Sequence, residues 1–527
     1  MHRQLVLLIG VLGAYRDVEH IAVDLRAAPV DNEVVDMPTY DLTQTRELLN
    51  LVDGQWLAGT GDELYSLDPA RPDRVVARYR PADEDLLKQA IAAATGAQRG
   101  WAGIGVIARG LVLRRAAALL QERLEEFAAL MCAEQGKTLG EARGEVALSA
   151  ETLYYHAGQA RSADGATFPS SNPDEVIRTV RRPVGTVAVI TPWNFPLQIP
   201  VWKIAPALLH GNTVIWKPAS ETPAMASAFT QLLVEAGLPD GVLNLLLAPG
   251  SLGAALVADP GVDAVTFTGS VPVGRSIAAA ATPRGAKVQL ELGGHNAALV
   301  MDDVDLAAAA DAVVAGAMGS TGQKCTATRR VIVADAVYEQ FLPLLAERVR
   351  ALQVGVGDDP ATTIGPLVSA RACQDVAAAV EQACREGAQV LATAEIPTGP
   401  GCWSAPTLLA GTPDMAIASE EVFGPVTTVL RAADLDEAIA LANATSFGLT
   451  AAVFTTDEAT ARRCVAELDA GLVKVNGPTT GSELHAPFGG LKDSSFPAPR
   501  EQNAGTAADF FTWTTTAYLR TANRRSN

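Results

Sequence analysis

Residues 184–216 read VGTVAVITPWNFPLQIPVWKIAPALLHGNTVIW, and this stretch decides the fold. Val184–Ile190 is an apolar run typical of a buried strand, Val201–Leu209 has helical apolar spacing, and Thr213–Trp216 is a second short strand. The alternation of strand and helix continues, and a second alternating run covers about 297–475. Because strands that alternate with helices form parallel sheets with helices on both faces, the sequence predicts two doubly wound α/β domains.

Composition sets limits on the kind of partner that this chain can bind. The 527 residues are 48% apolar and 19% charged, and the formal net charge is −18. A negative charge of this size argues against a nucleic-acid or anionic membrane partner, since phosphate binding needs clustered Lys and Arg. The six Cys are scattered without a C-x-x-C pair and His is sparse, so we predict no metal site and free thiols in a reducing, cytoplasmic compartment.

The N-terminal residues 1–47 stand apart from this pattern. Leu5–Ala14 is an apolar run behind Arg3, which resembles the apolar region of a signal peptide. The run is short and acidic residues follow soon after it, so a poorly structured or surface-docked extension is the preferred interpretation. We predict no membrane span in the body of the chain.

Cys325 and Glu291 are the strongest candidates for catalysis. Cys325 lies in TGQKCT (321–326), and Glu291 lies in LELGG (290–294), upstream of it. A thiol nucleophile needs a base, either to deprotonate it or to activate the water that releases its product. Taken alone, a cysteine of this kind is more often a packing residue.

Asn194 and Lys217 each follow a predicted strand. Asn194 lies in TPWNFP (191–196), where a fixed amide at a strand end suits an oxyanion hole, although a lone Asn is more often a turn residue. Lys217 lies in WKPAS (216–220), at the edge of the sheet where such folds bind ligands. Lys217 there can bind a ribose hydroxyl or a phosphate, and the alternative is a solvated loop lysine.

Two further loops have the character of cofactor contacts. FTGS (267–270) places a glycine before a helix N-terminus, which can receive a pyrophosphate, although it is not the G-x-G-x-x-G fingerprint. EEVFGP (420–425) supplies an acid and an aromatic ring that would orient a ribose and pack a nicotinamide. The alternative for the second loop is a surface acid pair.

Together, and in this order, these motifs resemble the aldehyde dehydrogenase superfamily over about residues 50–520. The resemblance implies NAD(P)-dependent oxidation of an aldehyde through a cysteine thioester, and assembly as a homodimer or homotetramer. It also implies a cofactor-binding domain, a catalytic domain and a small β oligomerisation arm. In this chain these would be, respectively, residues 48–164 with 183–291, residues 292–484, and residues 165–182 with 508–527.

The resemblance also implies roles for individual residues. Cys325 matches the nucleophile, Glu291 the general base and Asn194 the oxyanion donor, helped by the backbone amide of Cys325. The predicted contacts of the cofactor, NADP or NAD, are Trp193, Lys217, Ser220, Gly269, Ser270, Glu421 and Phe423. The predicted lining of the substrate pocket is Phe195, Trp202 and Phe488, and the predicted proton-relay acid is Glu501.

Two departures from the family pattern concern cofactor and substrate. Many NAD-preferring members carry Glu where this chain has Ser220, and loss of that carboxylate leaves room for the 2′-phosphate of NADP. Some semialdehyde-oxidising members carry an Arg where this chain has Trp202. The segments KVNGPTT (474–480) and FGG (488–490), with REQ (500–502), are most similar to members that oxidise 2,5-dioxovalerate.

Several alternatives remain open at this point. The substrate could instead be succinate semialdehyde or a broader range of aliphatic and aromatic aldehydes. A coenzyme-A-acylating dehydrogenase would share the fold, but such relatives typically lack the base, so Glu291 argues against it. A thiol acyltransferase or hydrolase should have a His beside Cys325, and there is none. A catalytically silent binding protein would not be expected to keep Cys325, Glu291 and Asn194.

Overall fold

The structure is a computed structural model that describes residues 44–162, 164–497, 502–503 and 505–520. Its first elements are the strands β1 (Arg46–Leu48), β2 (Asn50–Val52), β3 (Gln55–Leu57), β4 (Leu64–Asp68) and β5 (Arg71–Tyr79). Four helices follow, α1 (Glu84–Gly103), α2 (Val106–Glu122), α3 (Leu124–Gln135) and α4 (Leu139–Gln159). The strands β6 (Thr167–Phe168) and β7 (Glu175–Pro183) come next.

The first alternating run forms one sheet, as the apolar pattern predicts. Its elements are β8 (Thr186–Ile190), α5 (Gln198–Leu209), β9 (Thr213–Lys217), α6 (Pro223–Glu235), β10 (Leu243–Leu245), α7 (Gly250–Ala258), β11 (Ala264–Thr268), α8 (Val271–Ala281) and β12 (Lys287–Glu291). The strands β12, β11, β8, β9 and β10 lie side by side and parallel. They are almost wholly buried because helices cover both faces of the sheet.

The second alternating run forms another sheet. Its elements are β13 (Asn296–Val300), α9 (Leu306–Met318), β14 (Thr328–Ala334), α10 (Asp335–Arg350), α11 (Ala370–Glu386), β15 (Gln389–Thr393), β16 (Thr407–Ala410), β17 (Val426–Ala432), α12 (Leu435–Asn443), β18 (Phe447–Gly448), β19 (Thr450–Phe454), α13 (Glu458–Glu467) and β20 (Leu472–Val475). The strand order is β15-β16-β17-β14-β13-β19-β20, with only β15 antiparallel to its neighbour. Glu291 ends the last central strand of the first sheet, and Asn296 begins β13.

The last described elements of the chain are β21 (Leu491–Lys492), β22 (Ser495–Phe496), α14 (Thr506–Phe511) and β23 (Thr512–Arg520). The three strands among them pair with earlier strands: β21 with β18, β22 with β12 and β23 with β7. The strand β22 pairs antiparallel with β12 and makes one edge of the first sheet, while β2 and β3 make the other edge. The strand β23 pairs antiparallel with β7, which pairs with β6, so these three strands form a separate small sheet.

Several predicted boundaries differ from the structure. The segment 1–47, predicted as an extension, overlaps β1, because Arg46–Leu48 pairs in parallel with β5 and buries Leu48. The helical apolar spacing of residues 105–132 predicts one helix, and the structure has two, α2 and α3, divided at Arg123. The segment Phe510–Leu519, rich in Thr and aromatic residues, is predicted as a strand, but Phe510 and Phe511 complete α14 with both rings buried, so the strand begins only at Thr512.

Some predictions lie outside the described residues. The possible signal-peptide run, Leu5–Ala14, is one of them, and the proton-relay candidate Glu501 is another. Within the described part of the chain, no helix has both the length and the apolar character needed to cross a membrane.

Candidate active site

Cys325 lies in the loop between α9 and β14, and the turn before it is strained. Ser320, Thr321 and Gly322 all have left-handed backbone angles, with φ of 53°, 56° and 64°. Such a conformation costs a non-glycine residue roughly 1–2 kcal/mol, so surrounding contacts must hold the turn in place. Beyond the turn, the Cys325 carbonyl accepts a 2.7 Å hydrogen bond from Nδ2 of Asn296.

Asn194 lies against this same loop. Its Nδ2 donates a 3.0 Å hydrogen bond to the carbonyl oxygen of Gln323, two residues before Cys325. Gln323 is itself held, because its Oε1 accepts a hydrogen bond of 3.0 Å from the backbone amide of Val368. An asparagine amide carries two N–H donors, so one of them can hold the loop while the other serves an oxygen bound beside Cys325.

Glu291 is buried at the carboxyl end of β12. Ser495 stands opposite it in the antiparallel pairing of β12 with β22, and Ser495 Oγ donates a 2.6 Å hydrogen bond to Oε1 of Glu291. The segment KDSSFP reads as a loop, and neither apolar spacing nor turn chemistry indicates that Ser495 reaches a strand about two hundred residues earlier in the chain. Ser495 is therefore a site residue that the sequence did not identify.

The electrostatics around Cys325 favour its neutral thiol. Although Cys325 is partly exposed, desolvation by the surrounding protein, followed by the charges of Glu421 and Glu291, raises the pKa of its thiol to about 12. Burial raises the pKa of Glu421 to about 7, against the lowering effect of Arg329. Oε1 of Glu421 accepts a 3.0 Å hydrogen bond from the backbone amide of Gly294, which places this carboxyl group beside the Cys325 loop.

Lys203 is a second residue that sequence reasoning missed. It directly follows Trp202 and is fully buried in α5. Its Nζ donates to Thr266 Oγ1 at 2.9 Å and to Gln502 Oε1 at 3.2 Å. Burial lowers the pKa of Lys203 to about 7, while the charge of Glu291 opposes this lowering. A lysine within the apolar helix IPVWKIAPALL is the signal that could have identified it.

Lys217 lies at the end of β9 and is buried, with its Nζ donating to the carbonyl oxygen of Pro218 at 2.9 Å. Burial lowers the pKa of Lys217, while the charge of Glu221 raises it. Ser220 is exposed and hydrogen bonds to Tyr79. The next residue, Glu221, is exposed, and it is the carboxylate whose charge acts on Lys217.

The loop from β11 to α8 presents backbone at the same edge of the sheet as Lys217. Ser270 is the N-cap residue of α8 and makes no side-chain capping bond, and a Cβ added at Gly269 would lie only 2.3 Å from Cζ of Phe267. Trp193 and Phe423 meet edge to face, with ring centroids 5.6 Å apart. The predicted dinucleotide contacts therefore combine an uncapped helix start, a buried cation and an aromatic pair, a set of groups that fits such a cofactor.

The three predicted pocket aromatics are all partly or fully buried. The rings of Trp202 and Phe488 are 5.3 Å apart. The indole nitrogen of Trp202 is buried, and no hydrogen-bond acceptor for it exists among the residues that the structure describes. Phe195 lies beneath the ammonium of Lys137, which is 3.7 Å from the ring centroid.

Comparison with known proteins places this architecture in a family. The model of the aldehyde dehydrogenase family matches residues 56–516. The chain is 41% identical over 486 residues to the alpha-ketoglutaric semialdehyde dehydrogenase of Bacillus subtilis, covering 91% of this chain and 99% of that protein. It is also 41% identical over 468 residues to the 2,5-dioxopentanoate dehydrogenase of Saccharolobus solfataricus, covering 88% of this chain and 98% of the relative.

The fold comparison agrees with the sequence comparisons. The structure of an NAD-dependent aldehyde dehydrogenase from Sinorhizobium meliloti superposes with a TM-score of 0.87 at 33% identity, covering 93% of this chain and 99% of that one. The predicted family and the predicted α/β fold are thereby confirmed. With a cysteine loop, a buried glutamate and an asparagine amide meeting between its two sheets, the chain belongs to the aldehyde dehydrogenase family, whose members are NAD(P)-dependent oxidoreductases.

Proposed function

We propose that this enzyme oxidises 2,5-dioxovalerate, the semialdehyde of 2-oxoglutarate, to the dicarboxylic acid. The observation that carries the proposal is the hydrogen bond from Asn194 Nδ2 to the Gln323 carbonyl, because it brings a side-chain amide to the loop of the candidate nucleophile. The names of the two relatives that are 41% identical support the choice of substrate.

Each site residue has a defined task in this proposal. The Cys325 thiol releases its proton to solvent and the thiolate attacks the aldehyde carbon, while Asn194 and the Cys325 amide stabilise the oxygen that becomes negative. Loss of hydride leaves a thioester on Cys325. Glu291, oriented by Ser495, then takes a proton from the water that attacks the thioester, and the acid leaves with the thiol restored.

The bound nicotinamide cofactor supplies the hydride acceptor. Lys217 and Glu421 would hold its ribose hydroxyls, and the start of α8 at Gly269 and Ser270 would receive its pyrophosphate. Trp193 and Phe423 would pack beside the nicotinamide. The absence of a carboxylate at Ser220 supports use of NADP as well as NAD.

The aromatic pocket supports a substrate that carries a hydrogen-bond acceptor. No arginine stands at the position of Trp202 to bind a carboxylate, but its buried indole N–H has no partner in the described structure. A buried donor of this kind gains from an oxygen of the substrate. We propose that the Trp202 N–H binds the keto or carboxylate oxygen of 2,5-dioxovalerate, while Phe195 and Phe488 contact its methylene groups.

The proposal also assigns the domains, the oligomerisation arm and the cellular location. Residues 48–164 and 183–291 would form the cofactor-binding domain, and residues 292–484 the catalytic domain. Residues 165–182 and 508–527 would form the arm of a homodimer or homotetramer. The free thiols, of which Cys384 is exposed, support a location in the cytoplasm.

A substrate comparison tests the proposal. Purified enzyme should oxidise 2,5-dioxovalerate with a higher kcat/KM than succinate semialdehyde or pentanal, and Cys325→Ala should oxidise none of them. Trp202→Phe, which keeps an aromatic ring but removes the N–H, should lower kcat/KM about tenfold for 2,5-dioxovalerate and leave pentanal unchanged. A wild-type preference for pentanal would contradict the substrate, and substantial activity in Cys325→Ala would contradict the mechanism.

A further inference from the structure

The first turns of α4 carry two glutamates on one side of the helix, Glu141 and Glu145, spaced four residues apart. Glu145 is buried, and Glu141 is partly buried. Neither belongs to the motifs that resemble the family's catalytic or cofactor residues. Each carboxylate accepts hydrogen bonds from the backbone of a different active-site loop.

Glu145 holds the loop that carries Asn194. Its Oε1 accepts hydrogen bonds of 3.0 Å from the backbone amides of both Leu197 and Gln198, which follow Asn194 closely. These amides lie at the start of α5, whose own N-cap residue makes no side-chain capping bond, so Glu145 provides the cap from another helix. The second oxygen, Oε2, accepts from the ammonium of Lys137.

Lys137 also holds the loop that carries Asn194 against α4. Its ammonium lies over the ring of Phe195, the residue directly after Asn194, at 3.7 Å from the centroid. Lys137 and Glu145 form a buried ion pair, and removing either charge would leave the other buried without compensation. The ion pair therefore contacts the Asn194 loop at two points, one on either side of Pro196.

Glu141 holds the loop that carries Cys325. Its Oε1 accepts a 2.5 Å hydrogen bond from the backbone amide of Ser320 and a 3.3 Å bond from Ser320 Oγ. Ser320 is the first of the left-handed residues before Cys325, and such strain persists only where neighbours hold it. The other oxygen, Oε2, accepts from the amide and hydroxyl of Thr138 in a capping box, which fixes the carboxylate on the helix.

The two loops meet where Asn194 donates to the Gln323 carbonyl, so two glutamates four residues apart on α4 hold the two loops that make this contact. We propose that Glu141 and Glu145 are positioning residues that set the Asn194 amide against Cys325. This inference rests on the proposed roles of Asn194 and Cys325. Neither glutamate takes part in bond making, and their effect is on the geometry of the oxyanion site.

A double-mutant cycle tests the inference through the rate constant for cofactor reduction in the first turnover. Glu145→Gln alone should lower that rate constant tenfold to about a hundredfold, because small displacements of a reacting geometry have effects of this size. Asn194→Ala alone should lower it about a hundredfold or more. In the Asn194→Ala background no amide remains to be misplaced, so Glu145→Gln should then add less than about threefold.

Glu134→Gln is the matched control. Glu134 is also buried and also accepts from two backbone amides at a helix start, Ala224 at 2.7 Å and Met225 at 2.8 Å, but that helix is α6. We expect this variant to lower Tm without changing the first-turnover rate constant. Dinucleotide affinity, measured by fluorescence titration, should be unchanged in Glu145→Gln.

The outcomes separate the inference from the function on which it rests. An equal loss from Glu145→Gln in both backgrounds would overturn the positioning role, as would an equal loss from Glu134→Gln. A normal rate in Asn194→Ala would overturn the oxyanion role itself and the inference with it. If Glu145→Gln does not fold, the same cycle with Glu141→Gln decides between these results.

Discussion

At the scale of single residues, the surroundings of Cys325 hold its thiol in the protonated form. Burial and two nearby carboxylates, Glu421 and Glu291, raise the pKa of the thiol to about 12. Since the thiolate is the nucleophile, the free enzyme holds its cysteine in a weakly reactive state at neutral pH. Glu421 also has a raised pKa, of about 7, so its charge changes within the working range of the enzyme.

The alkylation of Cys325 by iodoacetamide should follow from these pKa values. We expect the rate at Cys325 to rise about tenfold per pH unit through the alkaline range without reaching a plateau. Glu421→Gln removes a negative charge, which lowers the Cys325 pKa and should accelerate alkylation above pH 7. Below that pH Glu421 is protonated, so wild type and variant should react alike. Peptide mass spectrometry resolves the sites, with the exposed Cys384 as the internal reference.

A plateau near neutral pH would contradict this description of Cys325. So would an unchanged alkylation rate in Glu421→Gln above pH 7, because the charge of Glu421 would then have no effect on the thiol.

We expect the choice between NAD and NADP to depend on the residues that follow β9. Ser220 supplies no carboxylate against a 2′-phosphate, so wild type should turn over NADP as well as NAD. Ser220→Glu should lower kcat/KM for NADP at least about tenfold and keep NAD use, through Coulomb repulsion. Glu221→Gln is the complementary variant and should improve NADP use, since Glu221 is the carboxylate that acts on Lys217. Absence of NADP turnover in wild type would refute the role given to Ser220.

At the scale of elements, the short strand β22 connects distant parts of the chain. It pairs with β12, and Ser495 Oγ bonds Oε1 of Glu291. The spacing of apolar residues predicts the two alternating runs of strands and helices. A strand or helix that buries one or both faces repeats its apolar residues with the period of that element. A two-residue edge strand has no such period, so the Ser495 contact depends on tertiary structure alone.

The same reasoning explains which parts of the site could be predicted. Cys325, Glu291 and Asn194 lie in motifs beside strong strands, so a sequence can indicate them. Glu145 lies in the second turn of α4 outside any recognisable motif, and its contacts depend on where α5 begins in space. Contacts between residues far apart in the chain are set by packing, which no local pattern records.

Ser495→Ala should slow turnover without slowing the first hydride transfer. A hydrogen bond to a charged group contributes about 1.5–3 kcal/mol, and its loss leaves the buried Glu291 carboxylate less well oriented towards the attacking water. We therefore expect the rate of steady-state turnover to fall about tenfold or more. The first-turnover burst of reduced cofactor should keep its wild-type rate, because in the proposed mechanism Glu291 acts only on the later water attack. Stopped-flow absorbance measures both phases, and an equally slowed burst would contradict this role of Ser495.

At the scale of the whole molecule, the small sheet of β6, β7 and β23 predicts assembly. It exposes several large apolar side chains, namely Phe168, Val176, Trp513, Tyr518 and Leu519. An apolar sheet with an open edge tends to pair with another chain unless a partner covers it. A second copy of this chain is the partner that the family resemblance implies.

Light scattering should therefore give at least the mass of a dimer at micromolar concentration. Tyr518→Lys, on this sheet and 64% exposed, should shift the mass towards the monomer. Tyr65→Lys is the control, because Tyr65 is 55% exposed on the separate sheet of β1, β5 and β4 and should leave the assembly intact. A monomeric wild type would contradict the predicted arm.

If oxidation passes through a thioester on Cys325 that Glu291 helps to hydrolyse, the thioester should accumulate when Glu291 is replaced. The most direct measurement is intact-protein mass spectrometry of Glu291→Gln after mixing with 2,5-dioxovalerate and NADP or NAD. The account predicts an adduct equal to the substrate mass less two hydrogens, located at Cys325 by peptide mapping, together with a burst of one reduced cofactor per site. Reduced cofactor without an adduct on Cys325 would contradict the account.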